Sequence, residues 1–96
     1  MVVKVRLVGA LKRLAGKPEI HIATCGSLTV TETIRMLCRK VASAEFERAV
    51  VDPDSKAVGP HIIVLVNDRD VSVLQGSRTE IGKSDVLTLV PITHGG

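Results

Sequence analysis

The first apolar pattern of the chain has a period of two, which is typical of half-buried β-strands. Residues 2–8 alternate aliphatic with basic side chains; the aliphatic set is Val3, Val5 and Leu7, and the basic set is Lys4 and Arg6. A second such stretch covers residues 19–24, with Ile20 and Ile22 on its apolar side. Because Gly9 and residues 12–18 separate the two stretches, the sequence predicts an antiparallel pair joined by a long, partly ordered loop.

A helical period replaces this alternation in residues 29–42. Five apolar residues recur there on one stripe, namely Val30, Ile34, Leu37, Cys38 and Val41. Thr29 and Glu32 have the spacing of a capping box, in which each side chain bonds the backbone N–H of the other residue. The pattern predicts one main helix, and residues 44–50 either extend it or form a second short helix. A turn cluster at residues 52–56 ends this region.

Three stretches predict strands in the second half of the chain. Residues 61–67 are apolar on both faces and rich in β-branched side chains, as in a central strand. Residues 71–74 predict a short edge strand, and residues 86–90 predict the last strand, which Pro91 stops because it cannot donate a ladder hydrogen bond. Alternation divides the last strand into an inner pair, Leu87 and Leu89, and an outer set, Val86, Thr88 and Val90.

The order of elements is therefore strand, strand, helix, strand, short strand, strand. In a chain of 96 residues this order predicts an α+β fold with the helix packed across one face of a sheet. The first and last strands could lie side by side at the centre of that sheet, although the order alone does not single out this arrangement.

Composition limits the class of protein. The 96 residues, 45% of them hydrophobic and 24% charged, suit one globular domain. The longest apolar run, residues 62–66, is far shorter than the roughly 20 residues of a membrane span. Two cysteines, Cys25 and Cys38, cannot build a disulfide-rich scaffold, and the charged start of the chain is unlike a signal peptide. We expect a cytoplasmic domain with free thiols.

Charge and aromatic content restrict the partners. The net charge is +3, without a run of like charges, and Phe46 is the only aromatic residue. Single-strand nucleic-acid binding relies on aromatic side chains for base stacking, so the composition argues against a nucleic-acid partner. No glycine-rich phosphate loop follows a predicted strand, and His21 and His61 form no zinc-ligand spacing with the cysteines. We expect no bound metal or cofactor.

The outer face of the sheet is the candidate partner surface. Val86, Thr88 and Val90 share that face with part of strand 61–67, and the basic side chains of the first strand border it. An exposed apolar patch of this kind marks a protein-binding site. The alternative is that residues 69–82 cover the same face.

The strongest chemical signal is the carboxyl end of the chain. We predict a globular domain at residues 1–90 and a flexible tail at residues 91–96, composed of Pro91, Ile92, Thr93, His94, Gly95 and Gly96. Six extended residues reach roughly 20 Å, enough to enter the active site of another protein. Glycine suits the tip of such an arm because it has no Cβ. His94 is expected to be a solvated residue that the partner's channel contacts.

The terminal carboxylate needs activation before it can react, because it has no good leaving group. An acyl-adenylate made with ATP by a separate enzyme supplies one. The activated Gly96 carbonyl could then pass to sulfur, forming a thiocarboxylate, or to a lysine amine, forming an isopeptide bond. In both cases the chain is a carrier and not an enzyme. An inert tail on a protein-interaction module is the alternative from another functional class.

The last third of the chain resembles the MoaD/ThiS family of ubiquitin-like sulfur carriers, which includes ubiquitin-related modifiers and small archaeal modifier proteins. Three segments carry the resemblance: residues 64–70 (Val-Leu-Val-Asn-Asp-Arg-Asp), residues 74–81, and residues 84–91 before the closing Gly95-Gly96. The chain departs from the family pattern at Lys83-Ser84, where Gly commonly precedes Asp, and after Pro91.

The resemblance implies a β-grasp fold, with a mixed sheet of four to five strands and one main helix across one face. It also implies that a MoeB/ThiF-like adenylyltransferase consumes ATP to adenylate Gly96, which is then loaded with sulfur. In the MoaD branch the chain is the non-catalytic small subunit of molybdopterin synthase and pairs with a MoaE-like large subunit. Other branches deliver the sulfur to tRNA or thiamine, or conjugate the carrier to lysines.

Overall fold

The structure is a computed structural model that describes residues 2–55 and 57–92. In this part of the chain the strands are β1 (Val2–Leu7), β2 (Glu19–Ala23), β3 (Leu28–Thr29), β4 (Ile62–Val66), β5 (Arg69–Asp70), β6 (Glu80–Ile81) and β7 (Val86–Pro91). The helices are α1 (Ala10–Ala15), α2 (Val30–Val41) and α3 (Ala44–Val50). The mixed sheet and the main helix confirm the predicted α+β, β-grasp class.

Five strands form the main sheet in the order β2-β1-β7-β4-β5. The first and last strands are neighbours at its centre and run parallel, whereas the other pairs are antiparallel. This arrangement is the one that strand order alone left open. Since β7 lies between β1 and β4, the chain leaves the domain from the middle of the sheet.

The inner face of the sheet supplies half of the hydrophobic core. Val3 and Val5 of β1 and Leu87 and Leu89 of β7 have no exposed surface, as the alternation predicts. Helices pack over this face and complete the core. The apolar helical side chains with almost no exposed surface are Leu11, Val30, Leu37, Phe46 and Val50.

Helix α2 begins and ends as the sequence indicates. The Thr29 hydroxyl accepts from the Glu32 N–H at 3.2 Å, and the Glu32 carboxylate accepts from the Thr29 N–H at 2.9 Å, which completes the capping box. Ala42 takes a left-handed conformation (φ 54°) and ends α2. Ser43 then caps α3 through the Phe46 N–H. Residues 44–50 therefore form a second short helix and do not extend α2.

The connection between β1 and β2 differs from the prediction, because it contains α1 instead of a partly ordered loop. Leu11 is the buried residue of this helix, and Gly16, with φ 78°, ends it. A six-residue helix shows too few turns for a helical period to stand out in the sequence.

The predicted edge strand at residues 71–74 is also wrong. The edge strand is β5, two residues earlier, and a 3₁₀ helix follows at Val71–Val73. The Asp70 carboxylate accepts from the Ser72 N–H at 2.9 Å and starts this turn, which also lowers the pKa of Asp70. Further along, β6 pairs with β3 next to α2, a pairing that the sequence did not indicate.

Candidate functional site

The carboxyl end leaves the sheet one residue later than predicted. Pro91 is the last residue of β7 and lies opposite Ile62 of β4. The Ile92 N–H donates to the His61 carbonyl oxygen at 2.7 Å, so Ile92 also follows the sheet. The other tail residues, Thr93, His94, Gly95 and Gly96, lie outside the described residues. Their threading into a partner stays a prediction.

The outer face of the sheet carries the three predicted β7 residues side by side with apolar neighbours. Val90 is paired with Ile63 of β4, and Thr88 is paired with Leu65 of β4. Val86 begins β7 on this face. Since these side chains alternate with the buried Leu87 and Leu89, the predicted division of the strand is confirmed.

Exposure on this face is lower than the prediction of an open patch requires. Thr88 is only 8% exposed, because it lies in the central strand between its cross-strand neighbours Arg6 and Leu65. Val86 and Val90 are half-buried, as are Ile63 and Leu65. The accessible part is therefore a shallow strip, which we call the outer strip and which consists of Ile63, Leu65, Val86 and Val90. Its role as a partner surface stays a prediction.

The segment after β5 runs to the helix side of the sheet. The Thr31 hydroxyl of α2 donates to the Ser77 carbonyl at 3.3 Å, and β6 pairs with β3 beside the same helix. Ile81 is fully buried in the core. These contacts favour an accessible outer strip over the alternative that residues 69–82 cover it.

A band of charged side chains lies beside the strip, on β1 and β2. Lys4 Nζ is 3.8 Å from Glu19 Oε2, and His21 Nε2 is 2.9 Å from Glu19 Oε1. The hydrogen bond from His21, followed by the charge of Lys4, lowers the pKa of Glu19. Arg6 is exposed on the same side. The band therefore presents mixed charge with a basic excess to a partner on this face.

A hydrogen-bonded corner joins the β4–β5 turn to the start of β7. Asn67 Nδ2 donates to Asp85 Oδ1 at 2.7 Å, Asn67 Oδ1 accepts from the Val86 N–H at 2.9 Å, and the Gly82 N–H donates to Asp85 Oδ2 at 2.7 Å. Asn67 and Asp68 both have positive φ, as a tight hairpin turn requires. Among the residues that carried the family resemblance, Asn67, Asp68 and Asp85 thus have a structural role in this corner.

The two thiols differ in environment. Cys25 is exposed, whereas Cys38 is buried at the wall of a 290 Å³ groove between α2, α3 and Val58. Burial, together with the nearby Glu47 carboxylate, raises the pKa of Cys38 to about 11. A thiol of this kind is protonated at neutral pH and is a poor nucleophile.

No metal site is assembled in the described part of the chain. Among those residues, no three His, Cys, Asp or Glu side chains are grouped so that they could hold a metal ion. None of the described helices has the length and apolar character needed to cross a bilayer. The arrangement can present a carboxyl end from the sheet centre and offer a face for docking.

Comparison with known proteins identifies the family of the chain. The sequence profile of Urm1 (Ubiquitin related modifier) matches residues 2–96. A putative sulfur carrier protein of Archaeoglobus fulgidus is 30% identical over 96 residues, and the match covers 100% of both chains.

Solved structures agree in fold. The small archaeal modifier SAMP1 of Haloferax volcanii superposes with a TM-score of 0.84 at 24% identity, covering 100% of both chains. A chain of the BexX/CysO complex of Amycolatopsis orientalis superposes with a TM-score of 0.76 at 27% identity, covering 98% of this chain and 99% of that one. Members of this group are small ubiquitin-like carriers and not catalysts. The chain belongs to the ubiquitin-related modifier family of ubiquitin-like sulfur carriers and modifiers.

Proposed function

We propose that the Gly96 carboxylate is adenylated and then loaded with sulfur. A carboxylate oxygen attacks the α-phosphorus of ATP, and pyrophosphate leaves. A hydrosulfide ion from a separate donor then attacks the acyl carbon; the new C–S bond forms as the C–O bond to AMP breaks, and loss of the S–H proton leaves a thiocarboxylate. The observation that carries this proposal is a β7 strand that leads out of the sheet into a diglycine end. The full-length match to the putative sulfur carrier protein of Archaeoglobus fulgidus supports the same chemistry.

The folded body contributes binding and not catalysis in this scheme. We propose that a MoeB/ThiF-like adenylyltransferase docks on the outer strip and takes the carboxyl end into its own nucleotide site. The strip offers half-buried Val86, Val90, Ile63 and Leu65, and Arg6 and Lys4 lie beside it. An apolar centre with a charged rim is typical of protein interfaces. Thr88, which is nearly inaccessible, contributes shape and little contact area.

As the acceptor of the sulfur we propose the precursor of molybdopterin, with the chain acting as the small subunit of a molybdopterin synthase. A MoaE-like large subunit would then occupy the outer strip after the adenylyltransferase has left. Stable co-purification with such a subunit, and sulfur transfer from the loaded carrier to the pterin, test this assignment. Transfer to tRNA or to a thiamine precursor instead would reassign the acceptor and leave the carrier chemistry intact.

Conjugation to lysine is a second candidate function, favoured by the match to the ubiquitin-related modifier family over residues 2–96. It uses the same adenylate, but an amine displaces the leaving group and forms an isopeptide bond. Both products need Gly96, so truncation alone cannot separate them.

One incubation separates these candidates. The chain is mixed with ATP, a sulfur donor and the cognate activating enzyme, and intact masses are measured with and without added cell extract. Exchange of one oxygen for one sulfur supports the carrier, and adducts on other proteins support the modifier. No change in either sample would mean that the diglycine end is inert and that the chain is an interaction module.

A further inference from the structure

The end of β7 is held on its β4 side up to Ile92. Pro91 lies opposite Ile62, and the Ile92 N–H donates to the His61 carbonyl oxygen at 2.7 Å. Pro91 itself has no N–H to contribute, so this bond is the last backbone link between the described carboxyl end and the sheet.

On its β1 side the same end lies against Gly9. The parallel register pairs Leu7 with Leu89, and two residues further Gly9 reaches Pro91. Gly9 has φ 61° and ψ −131°, a conformation open to glycine and strained for other residues. A Cβ placed on Gly9 would lie 3.4 Å from Pro91 Cγ and 3.9 Å from Pro91 Cδ, which is van der Waals contact with the proline ring. Any side chain at this position therefore combines backbone strain with direct contact to Pro91.

We call Gly9, Pro91, Ile92 and the His61 carbonyl the tail-exit seam. We propose that the tail-exit seam fixes where and in which direction the reactive arm leaves the sheet, so that only residues 93–96 enter the activating enzyme. This proposal rests on the proposed function. Gly9 is then a positioning residue for a reaction that takes place at Gly96.

The seam changes the reach of the arm. Six free residues extend to roughly 20 Å, whereas the four residues after Ile92 extend to about 13–14 Å. The enzyme must therefore seat its channel mouth against the body at Ile92 before the carboxylate reaches the nucleotide. Val8 and Ile92 are 43% and 40% exposed at this exit, and they offer apolar contact to such a mouth.

Arm length and seam opening can be tested together. Deletion of Thr93 shortens a seam-limited arm by about 3.4 Å, so kcat/KM for adenylation by the cognate activating enzyme should fall at least about tenfold. Ile92→Pro removes the N–H that binds His61 and frees two more residues. In the Ile92→Pro background, the same deletion should cost less than about threefold. Tolerance of the deletion in the unmodified chain, or equal losses in both backgrounds, would overturn the proposal.

Hydrogen exchange at the Ile92 amide measures whether the tail-exit seam is closed, without any enzyme. The Ile92 amide should exchange at least about tenfold more slowly than an unstructured amide. Gly9→Val should remove that protection, because it strains the backbone and places a branched side chain against Pro91. Gly16→Val is the matched control: its φ is 78°, and nothing lies within 4 Å of its Cβ, so it strains α1 without touching Pro91. Protection should survive in this control.

The two measurements fail in distinguishable ways. If the unmodified chain is never adenylated but the Ile92 amide is protected and responds only to Gly9→Val, the proposed function is wrong and the seam stands as a structural feature. If adenylation proceeds but the Ile92 amide exchanges freely, the seam is wrong and the carrier chemistry stands. If Gly9→Val fails to fold, protection in the unmodified chain and the deletion pair still decide the case.

Discussion

The Asn67–Asp85 corner and the carboxyl end lie at opposite ends of β7 and teach different things about this sequence. Hydrogen bonds define the corner: the side chains of Asn67 and Asp85 together take part in three, between 2.7 and 2.9 Å. The carboxyl end contributes no side-chain bond of this kind at Pro91 or Ile92. The corner holds the body together, whereas the end carries the proposed chemistry. Variants should therefore separate stability from sulfur loading.

Loss of Gly96 should have the largest effect on function. Without the terminal glycine the carboxylate no longer reaches the adenylation site in the same position, and loading should fall at least about a hundredfold. The midpoint of thermal unfolding should not change, because the buried core of the described residues lies between Val3 and Leu89. Intact-mass measurement and a melting curve on the same sample check both parts. A lower melting temperature would mean that the end is structural after all.

The alkylation rates of the two thiols should show the next largest difference. A cysteine thiol is the alternative position at which the body could carry sulfur. A pKa of about 11 leaves about 0.1% of Cys38 as thiolate at pH 8, so iodoacetamide should modify Cys25 at least about a hundredfold faster. Peptide mapping after timed alkylation measures the two rates. Because burial raises the pKa of Cys38, its reactivity should increase as the pH approaches 11. Equal rates at pH 8 would show that the groove beside α2 is open to reagents.

Asn67→Ala should destabilise the body and leave the chemistry intact. The variant loses two side-chain hydrogen bonds and places alanine at φ 51°, so the free energy of unfolding should fall by about 2–3 kcal/mol. Asn67→Gly keeps the backbone unstrained, and its smaller loss isolates the hydrogen bonds. Urea unfolding measures stability. Loading per folded molecule should equal that of the unmodified chain; a selective loss of loading would give the corner a role in docking.

Val90→Asp should weaken binding of the partner and leave the fold intact. A carboxylate on the outer strip interrupts its apolar centre, and affinity for the adenylyltransferase should fall about tenfold. Met36→Asp is the control, since Met36 is also half-buried but lies on α2 at the helix side. Calorimetric titration of both variants compares them. Equal weakening would place the docking surface elsewhere.

The capping box should give the smallest effect. Thr29→Ala should lower the free energy of unfolding by about 1 kcal/mol. The hydrogen bond from the Thr29 N–H holds the pKa of Glu32 below its usual value of 4.5. A lowered pKa adds stability above the unfolded-state pKa, and that stability is lost as the pH falls through the folded-state value. Melting curves at pH 7 and pH 3 should therefore differ less for Glu32→Gln than for the unmodified chain.

Elements with a clear period could be predicted from the sequence, and short ones could not. β1 and α2 each repeat their pattern several times, so burial of Val5 and Leu37 follows from spacing alone. α1 spans six residues and β5 spans two, which is too short for any period. The 3₁₀ helix after β5 begins at the hydrogen bond that the Asp70 carboxylate accepts from the Ser72 N–H, and a local bond of this kind overrides the strand preference of Val71 and Val73.

The candidate site divides in the same way. Residue identity alone pointed to Gly95 and Gly96, since their proposed chemistry needs no local fold. The outer set on β7 followed from alternation, but the low exposure of Thr88 depends on which strands flank β7, and that is a property of topology. The bonds of Asn67 with Asp85 and Val86 span 18 and 19 positions, so nothing local signalled them.

The central claim is that sulfur is carried by the carboxyl group of Gly96 and not by a thiol of the body. Trypsin cuts last after Lys83, so residues 84–96 form one terminal peptide without cysteine. After loading with ATP, activating enzyme and sulfur donor, fragmentation of that peptide should place the exchanged sulfur on its final residue. Sulfur found as a persulfide on the peptide of Cys25 or Cys38, with an unmodified carboxyl end, would contradict the account.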